Sequence, residues 1–266
     1  MIGVDTPDSL PQWLLLDKPG APQTGAILQH RFAHARWFWL FEGTEWHALR
    51  KQGPVLIDLR TCPALAELCQ REAPYWRGLL LGSEAPASAL LTHLRRMLTV
   101  GFGVHHRALL SYYNPCTASY FFDACDAGEL SRWLGPISQL CWFGGTWADR
   151  ANGSQGWQRL LNPGLAVSPL AIEEALSAHQ KTRLQTCLLE HHTWQWCQST
   201  GTDYRTLWSH LQEGLTLGFS ERAVLDGWLW LRLQYPEAVP DLPLPGVTQK
   251  ERLERLRNRW QDQQPR

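Results

Sequence analysis

His93-Leu94-Arg95-Arg96, then Ser111-Tyr112-Tyr113-Asn114-Pro115, then Leu134-Gly135-Pro136-Ile137 are three short runs that read in turn as a helix, a strand passing into a helix, and a helix stopping before a strand. In the first, residues set 100° apart place Leu90, Leu91, Leu94, Met97 and Leu98 on one face, which must lie on a sheet. Thr92, Arg96 and Thr99 fall opposite, toward solvent, with His93 and Arg95 on the two borders. The charged run has two readings: a solvated helix face, or a contact made by arginine, whose planar fork of donors is enriched in interfaces. In the second run Asn114 is placed to cap a helix, and Pro115 suits its first position, where no amide hydrogen is needed. In the third, Gly135 is free to take a positive φ at a helix end.

Working outward, strand-like runs cover Ala35 to Phe41, Val55 to Leu59, Trp76 to Leu81, His106 to Tyr113 and Ile137 to Phe143. Helical stretches at 44–51, 62–72, 84–99 and 115–127 lie between them. This alternation predicts an α/β class, with helices packed on a sheet and strand directions left open. Residues 1–32 read as an irregular lead-in with one short apolar docking element, Trp13-Leu14-Leu15-Leu16. Glu42-Gly43 reads as a strand-end turn. Thr146 to Leu161 reads as a hairpin bounded by Asn162-Pro163-Gly164. From Ser168 onward helical spacing dominates: Ile172, Ala175 and Leu176, then Leu184, Cys187, Leu188 and His191, followed by helices at 203–217 and 220–235. Pro240, Pro243 and Pro245 form a stiff connector. Thr248-Gln249-Lys250-Glu251 is a capping-box pattern opening a helix with the apolar stripe Leu253, Leu256 and Trp260. The expected organisation is a lead-in at 1–32, an α/β domain at 33–164, a helical lobe at 165–239, and the connector with a terminal helix at 240–266.

Lysine plus arginine and aspartate plus glutamate number 25 each, so the formal net charge is zero. That balance argues against nucleic acid as a partner, because phosphate binding needs a basic surface. No apolar run approaches the roughly 20 residues that span a bilayer, and Met1 to Asp5 show no basic region of an export signal. A soluble cytoplasmic protein with no membrane partner is expected. The seven cysteines, Cys62, Cys69, Cys116, Cys125, Cys141, Cys187 and Cys197, contain no Cys-x-x-Cys pair and read as reduced thiols. Fifteen tryptophans are the anomaly of the composition. They either fill the core or, in part, line a protein-binding groove.

Catalytic signatures are absent: no Gly-x-Ser-x-Gly elbow, no phosphate-binding Gly-x-x-x-x-Gly-Lys loop and no His-Glu-x-x-His. Gly101-Phe102-Gly103 is too short for a dinucleotide site, and His105-His106 simply opens a strand. Cys187, His191, His192 and Cys197 cluster on one helix. They are readable either as a zinc set of unusual spacing or as core packing with a surface histidine. A nucleophilic Cys–His pair has no local signature.

With Trp37 to Glu42, Gly53 to Leu59 and Trp76 to Ser83 upstream, the order and spacing of these runs resemble the effector-adaptor domain of bacterial type VI secretion, first catalogued as a domain of unknown function. The likeness covers about residues 33 to 145. Ser111 and Asn114 stand where that family usually has arginine and aspartate, so a charged pair between these two positions cannot form here. The resemblance implies an α/β lobe followed by a helical lobe, no enzyme activity, no cofactor and no metal. It implies a chaperone that binds a cognate effector and loads it onto the valine-glycine-repeat (VgrG) spike. Candidate partner-binding residues are His93, Arg95, Arg96 and Tyr113 in the first lobe, and Trp194, Trp196, Trp228 and Trp230 in the second. The alternatives are a metal-dependent or Cys/His hydrolase and a toxin-neutralising immunity protein.

Overall fold

In the computed structural model, which describes residues 11–102, 106–240, 246 and 248–262, the run Trp13–Leu16 is strand β1 and lies inside a six-stranded sheet. Met1 to Asp5, Gly103, His105, Pro243 and Pro245 lie outside the described residues. Strand β2 is Trp37–Trp39, β3 Val55–Asp58, β4 Gly78–Gly82, β7 Gln139–Gly144 and β8 Gly156–Leu161, in the order β2-β3-β1-β4-β7-β8. Every pairing in this sheet is antiparallel.

Side chains alternate across the sheet with period two. Trp13 and Leu15 join Leu56, Leu79, Leu81 and Leu140 in one core, while Leu14 and Leu16 join Val55, Ile57, Leu80 and Cys141 in another. The first core is closed by α3 (Ala87–Arg96), α4 (Pro115–Phe121) and α5 (Ala127–Leu134), through Leu90, Leu94, Phe121 and Trp133. The second is closed by α1 (Pro22–Arg31) and α2 (Pro63–Arg71), through Leu28, Leu65 and Leu68. Because both faces of β1 are covered, all four of its residues are apolar and buried. The alternation that marks a half-exposed strand is therefore missing. The expected irregular lead-in at 1–32 is corrected accordingly: its described part carries an interior strand and a ten-residue helix.

A smaller sheet holds β5 (Thr99–Phe102) between β6 (His106–Leu109) and β9 (Glu174–Ala175), the last of these parallel to β5. The strand expected over 106–113 thus ends at Leu109. The expected helix over 44–51 is a short 3-10 stretch, His47–Gln52, and the one over 115–127 is α4, a 3-10 turn and the start of α5, whose new beginning is capped by Asp126. The expected hairpin at 146–161 is instead α6 (Trp147–Asn152) leading into β8. Thr146 and Asp149 form a capping box that starts this helix inside what reads as a turn-rich segment. Ile172 and Ala175 are not on a helix; Leu170 and Leu176 are buried in the first core around the β9 connection.

Helix α7 (Ala178–Thr200) contains the division of the chain into two compact units, Met1–Leu188 and Leu189–Arg266. This is later than the boundary expected between 164 and 165, because the β9 segment packs with the sheet-bearing unit. The second unit is helical: the end of α7, then α8 (Tyr204–Thr216), α9 (Arg222–Gln234) and α10 (Gln249–Asp262). Trp228 is its centre, approaching the backbone of α8 so closely that a Cβ on Gly214 would lie 2.5 Å from the indole. Thr248 and Glu251 form the expected box, with both hydrogen bonds at 3.2 Å. Leu253, Leu256 and Trp260 of α10 are buried in this same core, so the terminal helix is part of the second unit rather than a separate appendage.

Asn114 ties two elements of the first unit. Its Oδ1 accepts from the backbone N–H of Cys116 at 3.0 Å and Thr117 at 3.4 Å, capping α4, while its Nδ2 donates to Oδ2 of the buried Asp17 at 2.9 Å. Burial pushes the Asp17 carboxyl above its ordinary range, and the hydrogen bond from Asn114 partly offsets that. An aspartate at 114 would still cap but would face Asp17 with like charge. Asn114→Asp is expected to lose about 1–3 kcal/mol at neutral pH, with the loss shrinking at mildly acid pH, because burial raises the Asp17 carboxyl and the pair then retains a proton. Denaturant titration at both pH values checks this; an equal loss at both would exclude carboxylate repulsion.

Candidate functional site

Two consecutive arginines at the end of α3 have different roles. Arg95 Nε donates to Leu40 O and its NH2 group to Trp39 O, each at 3.1 Å, so one guanidinium fork holds the carbonyls where β2 ends. Arg96, one position further round the helix, is exposed, and among the described residues no carboxylate is within ion-pair distance of it. His93 is half-buried: its Nε2–H donates to Trp133 O at 2.9 Å, and its ring lies against Gly135. A Cβ on Gly135 would sit 2.4 Å from the ring, and the φ of 52° there also excludes most side chains. His93 thus joins α3 to the end of α5, and burial pulls its pKa below the ordinary value.

Arg96 borders two surface hollows. One, of about 400 Å³, is walled by Ser88, Thr92, His93 and Pro136. The other, of about 410 Å³, is walled by Thr44, Glu45, Arg107, Ile172 and Glu173. On its far side Ile172 is 82% exposed, and Glu173 is the one non-glycine residue with positive φ (62°) among those described. A left-handed glutamate costs on the order of 1 kcal/mol and is held by its neighbours. Arg107 NH1 donates to Glu173 Oε1 at 2.7 Å; Glu174 accepts from Arg132 NH1 and from the backbone N–H of Ala171, both at 2.9 Å. The chain is thereby fixed in a shape that presents an apolar knob beside a free guanidinium. The Thr99 hydroxyl donates to Glu45 Oε1 at 2.6 Å inside the second hollow; with Arg96 and Ile172 beside it, the arrangement offers a charged and apolar contact face.

The other candidates separate by burial. Tyr113 lies in the core, its ring meeting Phe41 and Tyr112 edge-on, and Trp228 is wholly enclosed with its indole N–H donating to His210 O. Neither touches solvent enough to meet a partner, which corrects their expected role; aromatic content alone does not reveal depth. In the second unit Trp194 is half-buried against His191, Trp196 donates to Asp226 Oδ1 at 2.9 Å, and Trp230 is 56% exposed, edge-on to Trp196. Sequence reasoning missed Ile172, a lone apolar residue in a connection, and Trp157 on β8. Only the register of that strand could have shown that Trp157 faces outward.

Among the described residues no three His, Cys, Asp or Glu side chains converge on a metal position. His192 Nε2 lies 3.0 Å from Asp226 Oδ1, though not aligned as a hydrogen bond. None of the seven cysteines is disulfide-bonded, and burial raises the thiols of Cys62, Cys69, Cys116, Cys125, Cys141 and Cys197, with Cys125 reaching about 12. A nucleophilic thiol needs the opposite shift.

Burial is the leading cause that lowers the pKa of His93, His192 and His210 below the ordinary 6.5. The folded chain keeps these rings neutral while the unfolded chain protonates them. Their contribution to stability is therefore present above 6.5 and lost as pH falls through the lower folded values. The denaturation midpoint should drop between about pH 7 and about pH 5, and less so in His93→Gln, which keeps a donor for Trp133. An identical drop in both proteins would remove His93 from the account.

No curated protein and no solved structure matches the chain. Residues 12–132, from the start of β1 into α5 and including both arginines, match the family model described as Domain of unknown function (DUF4123), a family known as the adaptor domain of type VI secretion effectors.

Proposed function

We propose that this protein is an adaptor chaperone of type VI secretion: it binds an effector protein, keeps it soluble and loads it onto the valine-glycine-repeat spike, without catalysis. The family match over 12–132 supports the adaptor class. The observation that carries the reading to this chain is Arg96, an uncompensated guanidinium between two hollows and beside the exposed Ile172. A protein interface of standard size buries about 1,600 Å² and is usually dominated by a few aromatic, arginine and well-packed apolar anchors. Arg96 and Ile172 have that character: one offers forked donors that no carboxylate among the described residues takes up, the other an apolar side chain on a connection held by its neighbours. A pre-fixed anchor loses little conformational freedom on binding.

The test is co-purification and titration of the tagged protein with the effector and spike encoded beside its gene. Arg96→Glu and Ile172→Asp should each weaken effector binding about tenfold or more while leaving the melting temperature unchanged. Arg95 is unsuitable for this purpose, since its loss would release the carbonyls of Trp39 and Leu40. Full effector affinity in both variants would discard this face, and failure of the unaltered protein to bind any such effector would discard the adaptor reading.

A further inference from the structure

Strand β8 is the last of its sheet, and among the described residues no strand pairs with its outer edge. Which backbone groups face that edge follows from the ladder. Asn162 N donates to Ser138 O at 2.9 Å, which makes 138 and 162 a hydrogen-bonded pair in line with the β7–β8 register. Pair types alternate along an antiparallel ladder, so 140/160, 142/158 and 144/156 are also bonded pairs. The N–H and C=O groups of Trp157, Arg159 and Leu161 therefore point outward, and among the described residues none of them is taken up by another backbone group.

The side chains of these three residues share one sheet face. Trp157, 39% exposed, meets Phe143 edge-on at 5.9 Å, and Leu161 is 56% exposed. Arg159 stands between them; its guanidinium reaches only Gln139 Oε1 at 3.3 Å, with no carboxylate in ion-pair distance among the described residues. Sheets ordinarily protect such an edge with proline, a bulge, charged side chains or a covering loop; β8 is a regular six-residue strand with no proline or bulge inside it, and its one charged residue is Arg159. The opposite edge differs: β2 has three residues, and Arg95 occupies the carbonyl where it ends.

We propose that the open edge of β8 takes up an extended segment of the effector as a seventh strand, a deepening that rests on the adaptor reading above. The segment's backbone pairs with Trp157, Arg159 and Leu161. Its side chains on the shared face are an acidic residue opposite Arg159, with apolar residues two positions away on either side, opposite Trp157 and Leu161. Main-chain pairing gives the affinity in strand addition, and the alternating side chains give the selection.

Arg159→Pro tests the backbone part, since the amide it removes points outward and serves no bond of the fold; Arg159→Glu tests the charge part. Both should weaken binding of the co-encoded effector at least tenfold, while the Arg96 face is left intact. Amide exchange at Trp157, Arg159 and Leu161 should slow at least tenfold when effector is bound to the unaltered chain, a readout that holds even if the proline variant folds poorly. Unchanged exchange, or full affinity in Arg159→Glu, overturns the proposal while leaving the adaptor reading standing. If no effector binds the unaltered chain, the decisive probe is a fluorescein-labelled peptide alternating threonine with isoleucine, glutamate and isoleucine. Saturable binding that Arg159→Glu abolishes supports the edge, and no binding overturns it. Self-association of the chain that Arg159→Pro abolishes would mean that a second copy occupies the edge, and also overturns it.

Discussion

Strand β1 is hydrogen-bonded along both edges, to β3 and to β4, and is covered on both faces by helices that never touch one another through it. Its four residues alternate between the two faces and the two edges, and the elements around it take their positions from that. At its start, Trp13 lies under the Arg60 guanidinium at 4.5 Å, and Arg60 is held by a forked pair of bonds to the buried Asp58 of β3. At its end comes Asp17, whose buried carboxylate takes the amide of Asn114 and so fixes where α4 begins. A change at one end of β1 is thus felt in a helix about a hundred residues later. The asparagine at 114 is legible as a partner of Asp17 as much as a helix cap.

The contact face depends on the same frame. Arg95 and Arg96 differ by one step of 100° on α3. That step sends one guanidinium to the backbone of the sheet's edge and turns the other to the surface, where no carboxylate among the described residues pairs with it. The strained Glu173 on the far side is held through Arg107, and its neighbour Glu174 through Arg132, so the face is assembled from α3, the small sheet and α5. Rigid elements set the positions of the anchors, and the loop supplies only the apolar tip.

The sequence made the class legible wherever one face of an element is solvated. The Leu90, Leu91 and Leu94 stripe of α3, the Asn114-Pro115 start of α4 and the Thr248 box of α10 all follow from residues that must satisfy water on one side. It failed where water is absent on both sides, as in β1, and where one local signal can serve two structures. Thr146-Trp147 followed by Asn152-Gly153 suits a turn as well as a one-and-a-half-turn helix, and only the Thr146–Asp149 bonds decide it. For the site, the solvent direction of Arg96 was readable from helical phase. Tyr113 and Trp228 were not readable, because an aromatic ring suits a core and an interface equally. Ile172 carries no signal until the chain around Glu173 is folded.

The strand order β2-β3-β1-β4-β7-β8 also has a history in time. Trp13–Leu16 is made before every other strand of its sheet, yet its two neighbours are Val55–Asp58 and Gly78–Gly82, and the sheet is not complete until Leu161 has been added. Until Gly82 is made, four strongly apolar residues have at least one edge without its partner, and pairings between distant residues are the slow ones. A protein whose proposed task is to shelter an aggregation-prone segment of another chain thus begins life with such a segment of its own.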